Sequence, residues 1–189
     1  MAAIGQGGPY MVVIIADEGK NKIGAELHRE FLSKGVETEY IPLDNVQVKP
    51  CVNCGGCTCK TYGKCVVRDD GDWIYPKVIR SESLVLVTPI TFGSYSFKIK
   101  RVLDKFGLIM DRHYFVEKKE LVKGGMQGRQ FRMFTVGVSE DCISGETEAF
   151  KKLLRETLII TRGTGKAYIT GALLSSHTKK EIIEEVADL

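Results

Sequence analysis

Two periods of hydrophobic and polar residues alternate along this chain, and their order predicts its architecture. Residues 10–16 (YMVVIIA) form a short, continuous apolar run rich in β-branched side chains, as in a strand buried on both faces of a parallel sheet. A polar turn, DEGKNK, follows. Ile23, Leu27, Phe31 and Leu32 then recur on one helical face, with Gly35 as the stop. Residues 37–43, 83–89 (SLVLVTP), 131–138 (FRMFTVGV) and 166–173 read as the second to fifth strands. Between the second and third strands, Trp73, Ile74, Val78 and Ile79 predict a helix over 69–81, shortened or kinked by Pro76, with Trp73 in the core. Ser96 is placed to cap a helix that turns Phe97, Val102, Leu103 and Phe106 inward and ends at Gly107. Residues 146–160 form the next helix. Thr178-x-x-Glu181 is a capping box before Ile182, Ile183 and Val186. From 108 to 130 the periodicity lapses, and this polar stretch, with GGMQGRQ, is expected to be a loop or lid.

The order βαβαβαβαβα calls for one α/β domain over residues 1–189, a doubly wound parallel sheet with helices on both faces. Five strands of this kind take the order 2-1-3-4-5, with a ligand at the switch point between the first and third strands. The loops after the first, third and fourth strands are therefore the ones to search for chemistry.

Charge narrows the function classes. The chain carries 27 basic and 24 acidic residues, scattered, with no basic stripe among aromatics, so nucleic-acid binding is not expected. No apolar run is long enough to span a membrane, and residues 1–10 lack the pattern of a signal peptide. A cytoplasmic setting is expected, with cysteines acting as thiols or ligands rather than disulfides.

The cysteines change the picture most. Cys51-x2-Cys54-x2-Cys57-x7-Cys65 places four thiols in one loop, residues 50–66, with Cys59 as a fifth. Structural zinc more often uses two knuckles separated by a longer folded stretch. Close-spaced cysteines with one more distant are common in four-cysteine iron–sulfur ligation, so the spacing favours a cluster. Zinc and plain reduced thiols stay open, and Cys59 is either spare or a substitute for Cys57 or Cys65. Cys142 reads as an inert thiol, Asp69 and Asp70 as helix-capping carboxylates, and His28, His113 and His177 as surface or satisfied residues.

The segment 88–107, TPITFGSYSFKIKRVLDKFG, and the cysteine loop continuing into GKCVVRDDGDWI carry a resemblance to a known family. The chain resembles the flavodoxin-like NAD(P)H-dependent flavin reductases, and within them the iron–sulfur flavoproteins. The resemblance implies a flavodoxin-like fold, bound FMN, and a 4Fe–4S cluster on Cys51, Cys54, Cys57 and Cys65. It assigns Thr88, Pro89, Ile90, Thr91, Phe92, Gly93, Ser94 and Ser96 to the flavin ring and ribityl chain, and Gly19, Lys20, Asn21 and Lys22 to the phosphate. Ser139 follows the fourth strand, where relatives approach the flavin edge. Four positions depart from the family pattern: Thr91 replaces an aromatic, Lys105 an arginine, and Asp17 and Glu18 fall in a turn that usually cradles phosphate with hydroxyls. These two acids repel a phosphate unless they point away.

The function so implied is an electron-transferring flavin oxidoreductase that takes electrons from NAD(P)H or ferredoxin and assembles as a homodimer or homotetramer. Flavin hydride transfer requires no acid–base residue, and none is nominated. A cluster-free NAD(P)H-dependent FMN or quinone reductase is the alternative, and a flavodoxin-like binding module that has lost FMN is the second.

Overall fold

In a computed structural model, residues 11–19, 21–117, 119–125, 130–141 and 143–187 are described. Tyr10, Lys20, Cys142 and part of the 124–130 segment fall outside them. The described chain runs β1 (Met11–Ala16), α1 (Ile23–Ser33), β2 (Glu37–Pro42), a 3-10 turn (Leu43–Asn45), α2 (Gly56–Cys59), α3 (Gly71–Arg80) and β3 (Ser83–Pro89). It continues through α4 (Phe97–Leu103), a second 3-10 turn (Phe106–Leu108), β4 (Tyr114–Glu117), β5 (Glu120–Lys123), β6 (Met133–Val138), α5 (Ser144–Thr161), β7 (Ala167–Thr170) and α6 (Ser176–Ala187).

Five parallel strands form one sheet in the order β2-β1-β3-β6-β7. This is the expected flavodoxin-like order, with β6 and β7 as its fourth and fifth strands. The near-continuous apolar runs follow from burial on both faces. Val13 and Ile15 of β1 and Leu84 and Leu86 of β3 point into a core closed by Ile74, Tyr75 and Val78 of α3, Ile99 and Val102 of α4, and Phe150 and Leu154 of α5. Their neighbours Val12, Ile14, Val85 and Val87 point the other way, onto Ile23, Leu27 and Phe31 of α1 and Ile182, Ile183 and Val186 of α6.

Several expectations need correction. The aperiodic stretch holds an antiparallel hairpin, β4 on β5, with Tyr114 opposite Lys123. Every residue of β4 is exposed, so no apolar alternation betrays it. Leu32, Phe97 and Ile79 lie on helical faces read as inward but are 50%, 63% and 43% exposed, because each sits at the edge of its apolar stripe. Trp73 is likewise outside the core; its indole N–H donates to Asp70 Oδ1 at 3.1 Å, and Lys77 lies over its ring. His28 is half-buried and stacks on Tyr40 with centroids 5.8 Å apart, so it is not a surface residue. The last helix starts earlier than Thr178. Its cap is Ser175, whose Oγ accepts from Thr178 N at 3.1 Å, which leaves Thr178 inside the first turn. The stop at Gly35 holds: Gly35 N donates to Leu32 O and Val36 N to Phe31 O, consuming carbonyls that the helix end leaves free.

Candidate functional site

The turns after β1, β3 and β6 border the carboxyl edge of the sheet, where open parallel sheets bind ligands. After β3, Thr91 and Ser94 exchange backbone hydrogen bonds of 3.0 Å in both directions, closing a two-residue turn. Its central residues, Phe92 and Gly93, have φ of 51° and 73°, the left-handed pair of a type I′ turn. Gly93 is required twice over, since a Cβ there would also stand 2.8 Å from the Ala149 Cβ. Phe92 is 93% exposed at the turn's tip, a bulky ring in a conformation such residues rarely adopt.

Thr88 is buried, and its hydroxyl is engaged within the turn: it accepts from Ser96 N and donates to Pro89 O, both at 3.0 Å. Ser96 Oγ accepts from Ile99 N at 3.3 Å and caps α4 as its position predicts. Replacing Ser96 by alanine is expected to cost about 1 kcal/mol and to lower Tm by about 2–4 °C in a domain of this size, measurable by thermal melting. Pro89 and Thr91 are exposed, Ile90 is half-buried, and Ser139 closes β6 through a bond from its N–H to Thr170 O at 2.9 Å. Ser94 lines a separate cavity of about 300 Å³ between α4 and α5, walled by Tyr95, Leu103, Phe106, Leu153 and Thr157.

Lys98, which no sequence pattern singles out, ties three of these segments together. Its ammonium lies 3.2 Å from Asp17 Oδ1 after β1 and 2.6 Å from Asp44 Oδ1 after β2, while its backbone belongs to the first turn of α4. The hydrogen bond from Lys98 holds the Asp44 carboxyl below its usual range, and the same bond raises the Lys98 ammonium. Asp17 is thus paired with a cation that it shares with Asp44.

Glu18 behaves differently. It is buried, and its Oε2 accepts from Gly24 N while Oε1 accepts from Ala25 N at 3.4 Å and from the Tyr40 hydroxyl. Gly19 and Lys22 are exposed and Asn21 is half-buried. The turn after β3 is thus held by its own hydrogen bonds with the Phe92 ring outward, and the amino end of α1, where the flavin phosphate is expected, already holds a carboxylate.

The cysteine loop meets the far end of α4, where Asp104 and Lys105 border it. Left-handed residues at Asn53 and Gly55, with φ of 50° and 66°, bend the chain between the close-spaced cysteines and lead into α2. Cys51, Cys54, Cys57 and Cys65 line one cavity of about 140 Å³, with Asp104 and Lys105 also on its wall. Cys59 is exposed and outside it. Tyr75 donates to Val102 O at 3.0 Å beside this cavity; burial, then the charges of Asp69, Cys65 and Cys51, push its phenol well above the ordinary value.

All five described cysteines are free. Among the described residues, no three histidine, cysteine or acidic side chains converge tightly enough to hold a single metal ion. One zinc would need its sulfurs about 2.3 Å from a common centre. A four-iron cluster takes each thiolate on a separate iron and spaces them wider. Four thiolates on one cavity are a donor set that either centre takes.

Asp69 and Asp70 fasten this loop; Asp69 also accepts from the first amide of α3, whereas Asp70 stands at the cap position without a side-chain cap bond. Asp69 Oδ2 accepts from Lys49 N at 2.7 Å and from the Lys105 ammonium, and Oδ1 from Gly71 N at 2.9 Å. Asp70 Oδ2 accepts from Gln47 N at 2.7 Å, and this backbone bond is the main reason its carboxyl lies below the usual range.

Comparison with known proteins bears on both halves of the site. The family model described as NADPH-dependent FMN reductase matches residues 11–135. An iron–sulfur flavoprotein of Methanocaldococcus jannaschii is 36% identical over 72 residues, which is 38% of this chain and 36% of that protein. The iron–sulfur flavoprotein of Methanosarcina thermophila is 29% identical over 86 residues, 46% of this chain and 44% of that one. The matches thus span less than half the length of these relatives. Among solved structures, an NAD(P)H:quinone oxidoreductase from Methanothermobacter marburgensis aligns with a TM-score of 0.63 at 14% identity, covering 96% of this chain and 97% of that one. An FMN-dependent NADH-azoreductase from Bacillus anthracis, solved in complex with FMN, aligns with a TM-score of 0.57 at 16% identity, covering 95% and 98%. At such identities the likeness shows the fold alone. Among the described residues, no helix is long and apolar enough to cross a membrane.

Proposed function

The chain belongs to the NADPH-dependent FMN reductase family, and on that premise we propose that it is a flavin-dependent oxidoreductase with a 4Fe–4S cluster on Cys51, Cys54, Cys57 and Cys65. The observation that carries the cluster is the cavity those four thiols line while Cys59 stays outside. When bound, the flavin supplies hydride chemistry and the cluster single-electron transfer.

The chain's own residues position these groups. The Thr91–Ser94 turn offers backbone groups and the Phe92 ring to a flat ligand, and Thr88 and Ser96 hold that turn in place. Gly19, Asn21 and Lys22 would border the tail of the ligand, and Ser139 its edge. The Thr91–Ser94 turn and the cysteine-lined cavity lie at opposite ends of α4, whose seven residues span about 10 Å. The electron donor is NAD(P)H, in keeping with the family description, or ferredoxin, and the assembly is a homodimer or homotetramer.

One observation favours a flavin-free module instead: Glu18 occupies the amino end of α1. An absorption spectrum of anaerobically purified protein separates the readings. Flavin bands with a broad shoulder near ~400 nm are expected. Flavin bands alone identify a cluster-free reductase, and a colourless, iron-free protein sinks both enzyme readings.

A further inference from the structure

The amino end of α1 lacks a cap of its own. Lys22 sits at the cap position with φ of 54° and makes no side-chain cap bond. Serine, threonine or aspartate there would accept from the second or third helical amide. Here Glu18 reaches forward from the end of β1 and accepts from both, Gly24 N and Ala25 N. It is only 8% exposed, and the Tyr40 hydroxyl donates to it from β2. Burial, followed by the Glu18 hydrogen bond and charge, pushes the Tyr40 phenol far above its ordinary value, so it stays protonated and remains a donor. A carboxylate so bonded has its charge matched by the helix amides and needs no other partner.

Those amides, in the first βα turn at the switch point, are the place where this fold class holds a phosphate. Glu18 and a phosphate cannot share them, since both are anions and the amides are few. Asp17 shares Lys98 with Asp44, whereas Glu18 sits directly on the amides that an incoming anion would need.

Resting on the flavin reading above, we propose that Glu18 is an intramolecular competitor for the phosphate of FMN and sets flavin specificity. FMN enters with its phosphate at α1 only when the Glu18 carboxylate swings out, whereas riboflavin, which has no phosphate, leaves it seated. The chain thus discriminates little between the two flavins, and removing the carboxylate restores a preference for FMN.

The test titrates flavin-free protein with riboflavin and with FMN, following quenching of flavin fluorescence, for wild type, Glu18→Ser, Glu18→Gln and Tyr40→Phe. Circular dichroism and thermal melting select variants that remain folded. Wild type is expected to bind the two flavins within about threefold of each other, while Glu18→Ser tightens FMN by about tenfold or more and leaves riboflavin within about twofold. Glu18→Gln, which keeps the shape but loses the charge, and Tyr40→Phe, which loses only the phenolic donor, move the ratio the same way by less. Flavin binding with a ratio that does not change in Glu18→Ser overturns the proposal and leaves the flavin reading intact. A wild-type preference for FMN of about a hundredfold overturns it equally. Failure of both flavins to bind any folded variant overturns the flavin reading and the proposal with it.

Discussion

Anaerobically purified Cys54→Ser protein is expected to contain almost no iron and to lack the broad absorbance near ~400 nm, while Cys59→Ser retains both. The contrast rests on placement, since the two residues are equally common chemically and lie within one short loop. Cys54 lines the cavity with Cys51, Cys57 and Cys65, and its exposed neighbour Cys59 does not. A serine hydroxyl is a far poorer ligand than the thiolate that iron–sulfur clusters require, so one substitution in the set removes a quarter of the ligands. Iron analysis and spectra of both variants, with circular dichroism to confirm folding, decide the matter. Iron retained in Cys54→Ser and lost in Cys59→Ser would show that the ligand set is misassigned.

Lys105→Met is expected to destabilise the fold by about 3–5 kcal/mol, the usual consequence of leaving one member of a buried ion pair alone. The side chains of Lys105 and Asp69 are 1% and 2% exposed. With the ammonium gone, Asp69 keeps its bonds from Lys49 N and Gly71 N but no longer has a buried countercharge. The double variant Lys105→Met with Asp69→Asn removes that unpaired charge and should recover much of the loss, because the pair acts as a unit. Urea unfolding of both single variants and the double gives the coupling directly. A loss below about 1 kcal/mol in Lys105→Met would mean that water reaches Asp69 in solution.

The strands were legible because β1 and β3 are buried on both faces, which forces nearly every residue to be apolar. Ser96 and Gly35 were legible because a helix end makes its demands within a few positions. The grouping of four cysteines on one cavity was legible from spacing, as they lie within one short loop. Periodicity could not place Leu32, Phe97 or Trp73, since it identifies a helix face but not where the neighbouring element stops covering it. The β4–β5 hairpin was hidden for a related reason: it buries too little of itself to write an alternation.

What the sequence concealed in the site was long-range pairing. Glu18 is visible in the sequence as an acid in the turn after the first strand, but its inward course depends on Tyr40, which arrives from the neighbouring strand. Asp69 and Asp70 were read as caps because their helix is next to them, while Lys105 and Gln47 are brought to them only by the fold. Lys98 has the same history, with partners on two other turns.

The bonds from Gln47 and Lys49 to Asp70 and Asp69 also decide how a metal centre in this protein would be assembled and lost. They join the two ends of the cysteine-bearing segment, so the entropy of closing it belongs to folding and not to metal capture. In zinc fingers the metal itself drives folding, and its loss unfolds the domain. Here the two apolar layers that hold the sheet are built mainly from strands and helices outside the cysteine segment, so loss of the proposed cluster is expected to be local damage that leaves the sheet folded.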